Sequence, residues 1–233
     1  MTGMLASVAN ASEARLAAAA GADIIDLKAP QAGALGALPC AVVREIVSDI
    51  GKDRQISATI GDLPMEPATV VPAAREMAAT GVDFVKIGLF PGGDWTGSID
   101  ALAPLAADGV RLVAVLFGDR APDLEWLPRL AQAGFSGAML DTMDKARGSL
   151  TAICPPGYLR DFVALVRNHG MLCGLAGSLR STDIPPLLEL APDYLGFRGA
   201  LCHGHRRTSG LDVIALQNIR VMLKQPLHLQ RIG

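Results

Sequence analysis

Short apolar segments alternate along the chain with longer segments whose apolar residues recur at helical spacing. An apolar run of four to eight residues bounded by turn residues is typical of a buried strand. Eight such runs are predicted as strands, at residues 4–8, 23–27, 55–60, 84–89, 111–116, 137–140, 171–176 and 194–197. Because a helical segment follows each run, we expect the strands to be parallel.

Three of these strands are preceded by a similar phrase, AAAAGADIIDLK, MAATGVDFVKIG and LAQAGFSGAMLDT. In each phrase an alanine-rich helix is predicted to end at a glycine, Gly21, Gly81 or Gly134, as is common at helix C-termini. The glycines are about two βα units apart, which favours a single-domain (β/α)8 TIM barrel over residues 1–233. A doubly wound sheet is the alternative, but the chain lacks GxGxxG after the first strand and lacks GxxxxGK[ST].

Composition narrows the class of ligand. The chain has 233 residues, of which 50% are hydrophobic, a net charge of −2, and basic residues that are scattered rather than clustered. Aromatic residues make up only 4%, too few for a base-stacking surface. We therefore expect the protein to bind a small molecule and neither nucleic acid nor a membrane. We also expect it to be a homo-oligomer.

The four cysteines, Cys40, Cys154, Cys173 and Cys202, lie far apart and form no CxxC pair. No signal peptide is visible, and no apolar stretch approaches the roughly 18 residues of a membrane span. We expect free thiols and a cytoplasmic location.

Three of the lysines are candidate catalytic residues. The chain has only five lysines against sixteen arginines, and Lys28, Lys86 and Lys145 fall at or just beyond predicted strand ends, where such barrels place reacting groups. A lysine amine that is desolvated or close to other cations is a nucleophile near neutral pH, whereas arginine forms no imine. The alternative for each lysine is an ordinary surface residue.

Two carboxylates accompany these amines. Asp26 precedes Lys28 by two residues, so both side chains are expected on one face of the strand. Asp141 ends the apolar run GAML, and Lys145 follows it in LDTMDK. We predict that Asp26 and Asp141 belong to the catalytic site.

Glycine-rich turns predict a phosphate site. GLAGSL follows the seventh strand and GFRGAL the eighth, the two loops that often hold a phosphate in this fold. Gly177, Ser178 and Gly199 are the predicted contacts, and Arg198 is predicted to add a charged hydrogen bond. Tight packing alone is the alternative explanation for the glycines.

The cluster Cys202, His203 and His205 has donor atoms that suit zinc, but its spacing matches no common zinc framework. Arg206 and Arg207, which follow it, instead indicate a polar loop at the rim of the active site. We expect neither a metal nor another cofactor. The chain also lacks the GxSxG turn of serine hydrolases.

The phrases DLKAPQAGALGA, GVDFVKIGL, MLDTMDK and GLAGSL resemble, in order and spacing, the (5-formylfuran-3-yl)methyl phosphate synthase family. The resemblance implies a TIM barrel that joins two molecules of glyceraldehyde 3-phosphate into a furan aldehyde phosphate, with loss of one phosphate, for methanofuran-type cofactors. It also implies that Lys28 forms the imine and Lys86 transfers protons, with Asp26, Asp141 and Lys145 as further polar site residues.

The chain departs from the archaeal pattern of that family in PPGYL after the sixth strand and in CHGHRR after the eighth. A class I aldolase or a phosphosugar isomerase on the same barrel remains an alternative, because these reactions share the residues and differ in product. A non-catalytic barrel that binds a phosphometabolite is a second alternative.

Overall fold

In the computed structural model, which describes residues 1–224, eight parallel strands close into a barrel in the order β1 to β8, with β1 paired to β8. The strands are β1 Gly3–Val8, β2 Ile24–Leu27, β3 Gln55–Thr59, β4 Phe84–Gly88, β5 Leu112–Phe117, β6 Gly137–Asp141, β7 Leu172–Leu175 and β8 Tyr194–Phe197. All eight predicted strands are confirmed to within one residue at each end. The predicted (β/α)8 barrel is therefore confirmed.

The α-helices of the described chain are α1 Ala11–Ala19, α2 Cys40–Ile50, α3 Pro67–Ala78, α4 Trp95–Ala107, α5 Trp126–Gln132, α6 Leu150–Ile153, α7 Pro156–Asn168, α8 Ile184–Leu188 and α9 Val213–Lys224. As the sequence predicted, Gly21, Gly81 and Gly134 follow helices and have positive φ angles of 82°, 89° and 82°. Within residues 1–224, no helix is both long and apolar enough to span a bilayer.

The core has two layers because successive side chains of a strand point to opposite faces. One face of every strand packs against the surrounding helices, and that layer contains Ile25, Leu27, Val85 and Ile87. The other face points into the barrel, where Leu5, Ile24, Phe84, Val113, Met139 and Tyr194 belong to a smaller apolar cluster. This inner cluster fills the barrel, and the polar residues described next line the cavity at its carboxyl end.

Candidate active site

A cavity of about 860 Å³ opens at the carboxyl ends of the strands. All nine residues that the sequence predicted as site residues line it: Asp26, Lys28, Lys86, Asp141, Lys145, Gly177, Ser178, Arg198 and Gly199. The fold thus brings together residues that lie far apart in sequence, from five different strands or the loops that follow them.

Asp26 lies in the floor of the cavity and is fully buried. The strand register aligns Ser7 of β1 and Ser57 of β3 with it, and their hydroxyls donate to its carboxylate at 2.8 and 2.7 Å. Lys86 Nζ donates to Asp26 Oδ1 at 2.9 Å. Burial is the largest influence on the pKa of Asp26 and would raise it, but the charges of Lys86 and Lys28 and the hydrogen bonds together lower it. The group is therefore a carboxylate.

Lys86 lies deeper than the sequence analysis placed it. It is the third residue of β4 rather than a residue at or beyond the strand end, and only 2% of it is exposed. Phe84 on the same strand faces the barrel interior, and side chains two residues apart share a face, so Lys86 also points inward. Asp26 balances its charge there.

Asp141 and Lys145 form a second ion pair at the end of β6. Lys145 Nζ lies 2.5 Å from Asp141 Oδ1 and also donates to the carbonyl of Thr142. Burial would raise the pKa of Asp141, but the charges of Lys145 and Lys28, with hydrogen bonds, outweigh it and lower the pKa to about 2. This carboxylate is ionised at every physiological pH.

Lys28, directly after β2, differs from the other two cavity lysines. Among residues 1–224 no carboxylate lies within ion-pair distance of its amine; Asp26 is paired with Lys86, and Asp141 with Lys145. Burial, the largest cause, and the charges of Lys145 and Lys86 lower the pKa of Lys28, while Asp141 and Asp26 oppose the shift; the resulting pKa is about 8. Near neutral pH a useful fraction of Lys28 is a neutral, nucleophilic amine.

This pKa predicts the pH profile of any reaction that starts with attack by Lys28. Its rate should rise with pH through a limb near 8, because only the deprotonated amine attacks. Asp141→Asn should move the limb downward, because a charge that stabilises the ammonium is lost, and Lys145→Met should move it upward. The rate of imine trapping between pH 6 and 11 measures the limb. A wild-type limb near 10, the range of an ordinary lysine, would contradict this assignment.

The loops after β7 and β8 present unused donors to the cavity. The backbone N–H groups of Gly177, Ser178 and Gly199 have no protein acceptor in the described chain. Gly177 has a φ of 107°, and a Cβ there would lie 2.9 Å from the backbone nitrogen of Thr142, so only glycine fits. Three free N–H groups at the edge of a cavity suit an anion.

Arg198 does not have the environment that was predicted for a phosphate ligand. Its guanidinium pairs with Glu13 at 2.5 Å and also donates to the carbonyls of Ser7, Arg207 and Ser209. A second contact to Glu13 at 3.2 Å occupies its last donor. All five N–H donors are used inside the protein, where they hold the β8 loop, so a phosphate would have to displace one of these contacts to bind Arg198.

The sequence analysis missed the side chains that support the site. Ser7 and Ser57 hold Asp26, and Asp119 accepts hydrogen bonds from the backbone N–H groups of Met143 and Asp144 at 2.7 and 2.9 Å. Asp119 thereby fixes the segment that leads to Lys145. Asp119 lies two residues after β5, so a search for polar residues just beyond every strand, not only the lysine-bearing ones, would have found it.

The two departures from the family pattern lie in different places. Pro156 of PPGYL starts α7, a position that suits proline, and the segment 155–159 does not line the cavity. In CHGHRR, His205 and Arg207 do line it. The Cys202 thiol donates to the Arg198 carbonyl, and no group of three or more potential metal ligands occurs among residues 1–224.

Several known proteins resemble this chain in sequence or in fold. Residues 4–220 match the family described as 4-HFC-P synthase. A protein of Methylorubrum extorquens, provisionally named a (5-formylfuran-3-yl)methyl phosphate synthase, is 45% identical over 212 residues, which cover 90% of this chain and 86% of that protein. The (5-formylfuran-3-yl)methyl phosphate synthase of Methanocaldococcus jannaschii is 35% identical over 218 residues, 89% of this chain and 93% of its own.

Among solved structures, phosphoribosyl anthranilate isomerase from Thermotoga maritima superimposes with a TM-score of 0.68 over 96% of this chain and 99% of that one. At 13% identity this likeness shows the shared barrel fold and no more. The family match and the identity of the two relatives are far more specific. On that evidence the chain belongs to the (5-formylfuran-3-yl)methyl phosphate synthase family of enzymes.

Proposed function

We propose that this protein condenses two molecules of glyceraldehyde 3-phosphate into (5-formylfuran-3-yl)methyl phosphate through an imine on Lys28. The observation that carries the proposal is the unpaired, buried amine of Lys28, with a pKa of about 8, between two lysine–aspartate ion pairs. In its first step, the neutral amine attacks the aldehyde carbon of one triose phosphate, and the carbonyl oxygen leaves as water. The resulting iminium acidifies the adjacent carbon.

Proton transfer at that carbon is assigned to Lys86. Its amine lies in the cavity floor and is held by Asp26 at 2.9 Å, so it approaches the bound imine from inside the barrel.

The Asp141–Lys145 pair is assigned the role of protonating the departing phosphate. Ser178 of the loop after β7 donates to the Lys145 carbonyl at 3.4 Å, so this pair lies beside the loop at which we propose that phosphate binds. The ammonium of Lys145 has a proton to donate there.

The overall reaction balances without an oxidant or reductant. Two trioses contribute six carbons and two phosphates, and the product keeps six carbons and one phosphate. One inorganic phosphate and two water molecules account for the remaining atoms. We further propose that the furan product is used for a methanofuran-type cofactor and that the enzyme acts in the cytoplasm, where free thiols such as Cys154 and Cys173 persist.

We predict that a substrate phosphate binds to the N–H groups of Gly177, Ser178 and Gly199. Ser178→Asp should raise KM by roughly 10-fold or more, because like charges would face each other. Ser178→Asn is the matched control, because asparagine has nearly the shape of aspartate but no charge. Asparagine and aspartate both tolerate the positive φ of 49° at this position. A crystal soaked in sulfate should show the anion at these loops. An anion bound only elsewhere in the barrel would contradict the prediction.

Product analysis tests the proposed function. The enzyme is incubated with glyceraldehyde 3-phosphate alone, and furan absorbance and inorganic phosphate are followed together. We expect furan and phosphate to form in a one-to-one ratio. A six-carbon aldol product that keeps both phosphates, or an isomerised triose, would instead identify a Schiff-base aldolase or an isomerase.

A further inference from the structure

Arg207, in the loop after β8, is a cavity cation that the proposed reaction leaves without a role. It is partly buried and lines the cavity. Of the other cations that line the cavity, Lys86, Lys145 and Arg198 each pair with a carboxylate, whereas Lys28 and the exposed Arg180 form no ion pair within residues 1–224. No carboxylate in the described chain lies within ion-pair distance of the Arg207 guanidinium. The carboxylates of Asp141 and Asp62 act on it only through space, without a direct contact.

The position of Arg207 is fixed at both ends. Arg198 Nε donates to the Arg207 carbonyl at 2.8 Å, and Arg207 Nη2 donates to the carbonyl of Gly33 at 2.8 Å. Gly33 belongs to the loop after β2, the strand that Lys28 follows. Arg207 thus reaches from the β8 loop to the β2 loop, on the Lys28 side of the mouth. Its other guanidinium N–H groups have no acceptor in residues 1–224.

The electrostatic surroundings of Arg207 favour an anionic ligand. Burial, the largest cause, and the charge of Arg198 lower the pKa of Arg207, while the charges of Asp141 and Asp62 raise it. The guanidinium is thus partly desolvated and lies within electrostatic reach of the site carboxylate. A partly buried charge without a partner is costly unless a ligand balances it. A planar guanidinium with free donors matches the oxygens of a phosphate.

The proposed function, on which this inference rests, requires two phosphate sites. The N–H groups of Gly177, Ser178 and Gly199 supply one. A cavity of about 860 Å³ lies near the upper end of the range for drug-sized ligands and has room for more than one triose phosphate. We propose that Arg207 binds the phosphate of the second triose phosphate, on the Lys28 side of the mouth, while the β7 and β8 loops bind the phosphate of the first.

Binding of glycerol 3-phosphate tests this assignment without the reaction. This probe has the size and phosphate of the substrate but no carbonyl, so it neither forms an imine nor condenses. Isothermal titration should give two sites per chain for the wild type and one for Arg207→Gln, or two sites with one weakened by roughly 10- to 100-fold, the effect of a charge-assisted hydrogen bond. Arg206→Gln is the matched control, because Arg206 is exposed in the same loop and does not line the cavity. It should keep two sites.

The outcomes separate this inference from the proposed function. A wild type that forms furan but binds one glycerol 3-phosphate, or Arg207→Gln with two unchanged sites, would overturn the second-phosphate site and leave the reaction standing. Loss of both sites in Arg207→Gln would also overturn it, because Arg207 would then act by holding the loops. Two sites with one lost in Arg207→Gln, but no furan product, would support the site and reject the reaction.

Discussion

Lys28→Arg is expected to lower kcat by roughly 10³-fold or more, the scale of losses when a covalent catalytic residue is removed. Arginine keeps the positive charge near Asp26 and Asp141, so the fold should survive, but it stays protonated and forms no imine. Furan production from glyceraldehyde 3-phosphate measures the loss.

The control for this variant is Lys52→Arg, the same substitution at an exposed lysine just after α2. It should keep wild-type turnover, and both variants should unfold at nearly the wild-type temperature. If Lys28→Arg retained more than about a tenth of wild-type kcat, an imine on Lys28 would not be required, because losing covalent catalysis costs far more than that.

Lys86→Met is expected to lower kcat by roughly 10² to 10⁴-fold, the usual contribution of a positioned acid or base. Because Lys28 remains, the first triose should still form an imine, and borohydride should still trap it. Turnover and trapping are measured on the same preparation. Equal loss of both would contradict the proton-transfer role, since it would place the defect at or before imine formation.

The stability of this variant needs its own control, because Lys86→Met leaves the fully buried Asp26 without its cation. Removing one partner of a buried ion pair costs about 3–5 kcal/mol. The double variant Asp26→Asn/Lys86→Met removes both charges and should recover much of that loss in urea unfolding, while kcat stays low. Recovery of turnover in the double variant would show that the single variant was inactive only because it was destabilised.

The sequence was sufficient to predict the barrel because two periodic signals agree: apolar runs of strand length, and glycines such as Gly21 and Gly134 that end the preceding helices. The same signals showed which residues lie near the carboxyl ends of the strands. Such residues meet in any closed parallel barrel, so Lys28, Asp141 and Gly177 could be grouped without coordinates.

Pairing among the charged side chains could not be predicted, because it depends on strand register and on which face each residue occupies. Sequence spacing predicted that Asp26 and Lys28 lie on the same face of their strand. It could not show that the ion-pair partner of Asp26 is Lys86, 60 residues away. Arg198 looked free for phosphate until the contact with Glu13, 185 residues away, showed its donors to be occupied. The sequence predicted that Arg207 lies in a polar loop at the rim of the active site, but no sequence pattern shows that a cation lacks an ion-pair partner.

The most direct test of the central claim is to identify the lysine that forms the imine. The wild-type enzyme is reduced with borohydride in the presence of glyceraldehyde 3-phosphate, digested, and mapped by mass spectrometry. We predict a reduced adduct on Lys28 that is absent without substrate. An adduct on Lys86 or Lys145 with none on Lys28, or furan formation with no adduct on any lysine, would contradict the account.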